Sequence, residues 1–379
     1  MSEQRLTQYL TDLVGINSVN PNLSEEGQGE RKIAEYIHAH FQKLGLNTDL
    51  FEVANNRCNT TSFLVGKDSN KIILMNGHID TVGVEGMDSP FVLRQEGDRL
   101  FGRGTYDMLA GCAIQMCLAD FFAKNESPIS LAFTFVCDEE DKSIGMEHLM
   151  TNFLPTLKTK PILGIFMEPT EDKIGICHKG YSWYELRVNG VASHGSRPEE
   201  GVNAIFPLQY ALAELDEINI QLSKEEAHPL LGHATLHPGT IKGGSAYSVI
   251  AAEAKLVWER RTLPNEDPRK IQEEVDRVVA AVSDAPGEHK VSVTKLFSRP
   301  ANHTKENEHI GRLQNIINRK PYKGMSYWAD SALAAGADIP SILFGPAGHG
   351  AHAIDEWVSK SSMIFCFESL KDMILSYQD

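Results

Sequence analysis

Lys71-Ile72-Ile73-Leu74-Met75-Asn76-Gly77-His78-Ile79-Asp80 carries an apolar run straight into a histidine and an aspartate. The run has the length and the Ile/Leu content of a buried strand, and it stops where a potential ligand begins. The arrangement recurs. Ser130–Cys137 runs into Asp138-Glu139-Glu140, Pro161–Met167 into Glu168-Pro169, and Ser341–Phe344 into a glycine-rich loop holding His349 and His352. In open α/β sheets ligands bind beyond the carboxyl ends of the strands. Carboxylates and imidazoles gathered there are the oxygen and nitrogen donors that zinc, cobalt or manganese takes. The pattern reads as a metal-dependent enzyme.

Between these runs lie helical segments. Glu30–Leu44 places Ile33, Ile37, Phe41 and Leu44 on one face and ends at Gly45. Met108–Ala123 is apolar nearly all round, as a helix packed between a sheet and its neighbours should be. Strands alternating with such helices define an α/β domain with a mostly parallel sheet and helices on both faces. Near Gly180 the texture changes: Tyr181–Val188 alternates like a sheet covered on one face. A helix over Val202–Glu217, strands over Ala234–Ile241 and Glu253–Arg260, and a helix over Pro268–Val282 follow. These make a smaller α+β domain inserted at 180–293, flanked by 1–179 and 294–379, which together form the larger domain.

The chain has 379 residues, more than one core usually supports, which agrees with two domains. A net charge of −15 argues against a nucleic-acid partner. The polar start of the sequence has no apolar h-region, and no run approaches 18 apolar residues, so neither secretion nor membrane spanning is expected. The six cysteines form no C-x-x-C pair and suit reduced thiols of a cytoplasmic protein. Cys137 is an alternative nucleophile, without an evident base.

His78 and Asp80 are two apart, so in extended chain they share a side, and one can bind a metal while the other orients it. A buried histidine with a capping aspartate is the plainer reading. Asp107 opens an apolar helix and is a natural N-cap; a helix N-terminus also favours a carboxylate held ionised between cations. Adjacent Glu139 and Glu140 diverge, so one can ligate while its neighbour takes a proton from water, the division that metal-assisted hydrolysis needs. Alone, each motif also fits a solvated turn.

Together, Gly77–Val82, Gly102–Met108, Asp138–Glu140, Glu168–Thr170 and Ala351–Glu356 resemble, in one order, the co-catalytic di-zinc hydrolases of the M20 metallopeptidase family. That family includes acetylornithine deacetylases, succinyl-diaminopimelate desuccinylases, aminoacylases and several peptidases. The resemblance implies two zinc ions, replaceable by cobalt or manganese, with Asp107 bridging them. His78 and Glu168 would complete one site, Glu140 and His352 the other. Glu139 would be the general base and then acid, and Asp80 the partner of His78. His349 rivals His352, which has the Ala-His-x-x-Asp-Glu context.

In the inserted domain, Val191–Pro198 matches the family's histidine segment, and His194 would steady the oxyanion across a homodimer. Arg261 matches an arginine that grips a substrate carboxylate. Ser248 stands near a position where relatives usually carry Asn, and Leu109 where they usually carry Lys. A Ser193/His194 nucleophilic pair lacks the G-x-S-x-G elbow. Gly345–Gly350 lacks the Gly-Lys-Ser/Thr ending of a phosphate loop. The resemblance therefore implies an enzyme that hydrolyses small N-acyl amino acids. An acetylornithine deacetylase-like activity leads; desuccinylase, aminoacylase, dipeptidase and carboxypeptidase activities, or a silent binding homologue, are the alternatives.

Overall fold

The computed structural model describes residues 2–319 and 321–378. The chain divides into two compact units. One comprises Met1–Ile176, Thr304–Lys323 and Ala329–Asp379, the other Cys177–His303 and Gly324–Trp328.

In the first unit four central strands run parallel, in the order Ile129–Val136, Asp68–His78, Leu163–Phe166, Ser341–Leu343. Antiparallel strands Asn47–Ala54 and Arg57–Leu64 extend one edge, and Gly175–His178 pairs antiparallel with Ser341–Leu343 at the other. The central strands are buried on both faces, which is why they read as unbroken apolar runs. Their register sets their ends side by side: His78 pairs with Val136, Asn76 with Phe166, and Phe166 with Leu343. The histidine and carboxylates at or just beyond the strand ends thus gather at the carboxyl ends of the central strands.

Successive strand residues point to opposite faces, and helices cover both. Phe133 and Phe135 meet Phe41 of the helix Arg31–Lys43, with ring centroids 5.6 Å apart. On the other face Asn76 Nδ2 reaches Thr134 Oγ1 at 3.1 Å and Met146, in the helix Ile144–His148, at 3.5 Å. Arg31–Lys43 buries Ile33, Ile37 and Phe41, and Gly45, at φ +74°, ends the helical course as expected.

The apolar helix spans Ala110–Phe122, starting two residues later than expected. Asp107 is not its N-cap. Asp107 (φ −119°, ψ 95°) and Met108 (φ −133°, ψ 36°) are non-helical, and the tight turn Thr105–Leu109 carries the chain into the helix. A small antiparallel sheet, Gly348–His349, Trp357–Ser359, Arg99–Phe101 and Arg94–Glu96, lays the loop after residue 349 alongside the loop before Asp107.

The second unit has an antiparallel sheet in the order Thr235–Gly243, Glu253–Thr262, Gly180–Asn189, Lys290–Arg299. The unit runs to His303, past the boundary at 293 expected from sequence, because Lys290–Arg299 stays paired with Gly180–Asn189. Its first helix is Leu208–Leu222 rather than Val202–Glu217. The residues before it spend their amides elsewhere: Val202 N–H donates to Val191 O and Ala204 N–H to Ala251 O. Helices Leu208–Leu222 and Pro268–Ser283 bury Leu215, Ile218 and Val278 with Leu186, Leu256 and Trp258 of the sheet.

Trp258 is 1% exposed and stacks on Tyr184 with centroids 5.3 Å apart. Trp258→Ala should destabilise the protein by about 3–5 kcal/mol, measured by denaturant unfolding; a loss below about 1 kcal/mol would contradict this packing.

Candidate metal centre

The strand ends of the first unit converge on Asp107. Its two oxygens face two imidazoles: Oδ1 lies 3.1 Å from His78 Nε2, and Oδ2 lies 3.4 Å from His352 Nε2. His78 Nε2 is also 4.0 Å from Glu168 Oε1 and 4.0 Å from Glu139 Oε2. His352 Nε2 is 2.9 Å from Glu140 Oε2. Two donor groups therefore share one carboxylate: His78 and Glu168 on one side, His352 and Glu140 on the other. His78, Asp107 and Glu140 also set donor atoms within 4.8 Å of one another, a triple that straddles both groups. His349 points elsewhere, its ring 6.5 Å from Trp357.

The donor set fits divalent cations on electrostatic grounds. Burial, with like charges nearby, pushes the Glu168 carboxyl up to about 8 and Glu140 up to about 7, and holds Glu139 well above the usual range. Asp330, buried at the start of the helix Ser331–Gly336, adds to the pressure on Glu139 and Glu168. Hydrogen bonding to Asp107 and Glu140 raises His352 to about 10. Burial raises Asp107, yet hydrogen bonds from His352 and His78 hold it below the usual carboxylate value. Glu140 Oε1 is buried with no hydrogen-bond partner among the described residues. Such an atom is costly unless a cation or water meets it.

Beneath the donors, Asp80 anchors a polar network whose members Asn20, Glu30 and Arg57 carry no signal in the sequence. His78 Nδ1 is 3.0 Å from the carbonyl oxygen of Asp80 and 3.6 Å from its Oδ1, so the backbone, more than the expected carboxylate, meets the ring. The Asp80 carboxylate accepts the N–H groups of Glu139 (3.0 Å) and Glu140 (3.1 Å), together with Asn20 Nδ2 (2.9 Å). Asn20 Nδ2 also reaches Asp138 (3.0 Å), and Asp138 accepts from Arg57 (2.7 Å), which pairs with Glu30 at 2.5 Å. Asn20, Glu30, Arg57 and Asp138 are all buried. Asp138 sits at φ +69°, so the turn that presents Glu139 and Glu140 depends on these contacts.

Close backbone approach fixes two glycines. At Gly104 (φ +75°) a Cβ would lie 2.6 Å from Thr81 Cγ2 and 2.9 Å from Leu109 Cδ1. Leu109, the departure from the usual Lys, thus packs as a buried side chain under this turn. At Gly345 a Cβ would lie 2.3 Å from the carbonyl oxygen of Glu168, so the glycine-rich loop packs on the Glu168 segment.

In the second unit, His194 and Ser248 are brought near each other. His194 bridges to Val249, and Gly195 N–H donates to Ser248 O at 2.7 Å. The exposed His194 ring meets Ser196 Oγ (2.7 Å), whereas Ser193 Oγ donates to Arg197 O, so the Ser193/His194 pair is not formed. Arg261 lies on Glu253–Thr262, its Nε 2.6 Å from Glu259 Oε1 and its guanidinium 5.3 Å from the centre of the Tyr181 ring. Cys137 is buried, and burial raises its thiol well above the range of a nucleophile.

The family model described as Peptidase family M20/M25/M40 matches residues 74–376. A peptidase M20 domain-containing protein of Schizosaccharomyces pombe is 27% identical over 99% of this chain and 87% of its own. An acetylornithine deacetylase of Buchnera aphidicola subsp. Schizaphis graminum is 26% identical over 94% of this chain and 93% of its own. Among solved structures, a Staphylococcus aureus tripeptidase superposes with a TM-score of 0.78 at 19% identity, covering 99% of this chain and 98% of that one. The chain belongs to peptidase family M20/M25/M40 and is a hydrolytic enzyme acting on amide bonds.

Two tests follow from the geometry. Removing the cation from the buried network leaves carboxylates uncompensated, so Arg57→Ala should cost about 3–5 kcal/mol by denaturant unfolding; a loss near zero would contradict the network. If Glu140, Glu168 and His352 hold cations, protons would compete for them, since their values lie at or above about 7. Zinc affinity by calorimetry should therefore fall as pH drops from about 8 to about 6, with proton release on binding; pH-independent affinity would contradict the assignment.

Proposed function

We propose that the protein is a two-zinc amidohydrolase that cleaves an N-acyl amino acid into a carboxylate and a free amino acid, with acetylornithine deacetylase-like specificity. Asp107 would be held in common by the two ions, with His78 and Glu168 completing one site and Glu140 and His352 the other. The observation that carries the reading is Asp107, whose two oxygens each face a different histidine. Cobalt or manganese suits the same donors.

When bound, the metal pair supplies Lewis acidity that polarises the amide carbonyl and lowers the pKa of water. The chain's own residues do the rest. Glu139, beside the donors with its carboxyl held high by burial, accepts the proton of the attacking water and returns it to the departing amine nitrogen. Asp80 fixes the His78 ring through its carbonyl, and through its carboxylate sets the amides of Glu139 and Glu140. His194, exposed on its own unit, donates to the developing oxyanion from a second subunit, as the family resemblance implies. Arg261 grips the substrate carboxylate, and Ser248 contacts that carboxylate or the oxyanion.

A homodimer is part of the proposal. Ile205, Phe206, Tyr210, Ile241 and Tyr247 of the second unit are exposed, and Thr235–Gly243 is an edge strand of its sheet. Six free, buried cysteines suit the cytoplasm, and no helix among the described residues is long and apolar enough to cross a membrane.

The substrate class leans on the acetylornithine deacetylase relatives. Ser248, near a position where relatives usually carry Asn, keeps desuccinylase, aminoacylase, dipeptidase and carboxypeptidase activities in the comparison. Amine release by the zinc-loaded enzyme should concentrate on N-acetylornithine within a panel of N-succinyl-diaminopimelate, other N-acetyl amino acids and dipeptides. Preference for another member would overturn the substrate assignment. Glu139→Ala should lower kcat by about 10²–10⁴-fold with two metals still bound; unchanged kcat would remove Glu139 from its role.

A further inference from the structure

Glu356 closes the Ala351–Glu356 segment, and the chemistry above gives it no part. Its side chain is 1% exposed and turned into the loop before Asp107. Oε2 accepts from the Gly104 amide (2.9 Å) and from Arg103 Nη1 (2.7 Å). Oε1 accepts from the Tyr106 amide (2.8 Å) and from the amide of Asp107 itself (3.1 Å). An Arg103–Glu356 pair alone would account for a buried charge. It does not account for three backbone amides of one loop converging on the same carboxylate.

Those amides need an acceptor from outside the loop. Asp107 and Met108 depart from helical torsions, and the helix begins only at Ala110. A buried N–H without an acceptor is expensive, so the path of the loop and the reach of Glu356 depend on each other. The same contact ties in His352. Arg103 donates to Ala353 O at 3.2 Å and to Gly83 O at 3.0 Å. The loop that carries His352 at φ +65° is thereby pinned, at Ala353 and Glu356, to the residues that set Asp107.

We infer that Glu356 is a positioning residue that holds the Asp107 carboxylate between His78 and His352 and couples it to the loop bearing His352. The inference rests on the reading of Asp107 as the bridging ligand. What Glu356 supplies is reach as much as charge: its carboxylate must extend to the Tyr106 and Asp107 amides. Glu356→Gln turns one acceptor oxygen into an NH₂ group facing donors. Glu356→Asp keeps the charge and falls one methylene short.

Cobalt titration of the full-length protein and of both variants, followed by calorimetry and by visible absorption of the bound ion, tests this. Both variants should bind cobalt about 10–100-fold more weakly and show an altered band, under conditions where circular dichroism finds them folded. Wild-type affinity and band in Glu356→Gln, with only a lowered Tm, would reduce Glu356 to a loop brace and overturn the inference. Wild-type behaviour in Glu356→Asp alone would show that charge rather than position matters, and would overturn it equally. If Glu356→Gln does not fold, Glu356→Asp decides. A wild-type protein that takes up no cobalt would instead remove the metal-centre reading, and this inference with it.

Discussion

The constraint on which the rest depends is the crowding of Asp107, Glu139, Glu140 and Glu168 beyond the carboxyl ends of the central strands. Like charges taken out of water repel and lose their hydration, and the raised Glu140 and Glu168 carboxyls register that cost. The surrounding structure answers in two places. Under Glu139 and Glu140, the chain Asp80–Asn20–Asp138–Arg57–Glu30 locks the turn with amide and guanidinium donors. Beside Asp107, Glu356 and Arg103 fix the loop that presents the shared carboxylate. Two imidazoles lie between these supports, so the cluster is organised around a place for positive charge.

The sequence exposed one half of this design and hid the other. His78, Glu139, Glu140 and Glu168 were legible as candidates because a parallel strand buried on both faces makes an unbroken apolar run, and a histidine or carboxylate stands at its end or just beyond it. Asn20, Glu30, Arg57 and Asp330 were not. Each comes from a distant part of the chain, and a buried polar residue looks like a surface one until its partners are placed. Asp107 was expected both as a donor and as an N-cap; only the cap is corrected, because local spacing cannot tell a non-helical turn from a first helical residue. The choice of His352 over His349 came from motif context; in space His352 reaches Asp107 and Glu140, while His349 lies against Trp357.

Backbone commitments outside the local window explain the other differences. The helix expected from Val202 begins at Leu208 because Val202 and Ala204 are bonded to Val191 and Ala251. The second unit extends to His303 because one strand's pairing outlasts its apolar pattern. The departures from the family pattern fall in different settings. Leu109 is buried against Gly104, as part of the turn's packing. Ser248 is exposed beside the His194 loop of the second unit, the setting in which a change of substrate contact would be expressed.

The central claim is that one carboxylate serves two cations. Anomalous diffraction at the zinc edge from zinc-soaked crystals tests it most directly. Two peaks about 3.5–4 Å apart, one on each side of Asp107, is the predicted result. A single peak, or two peaks that do not share Asp107, would contradict it.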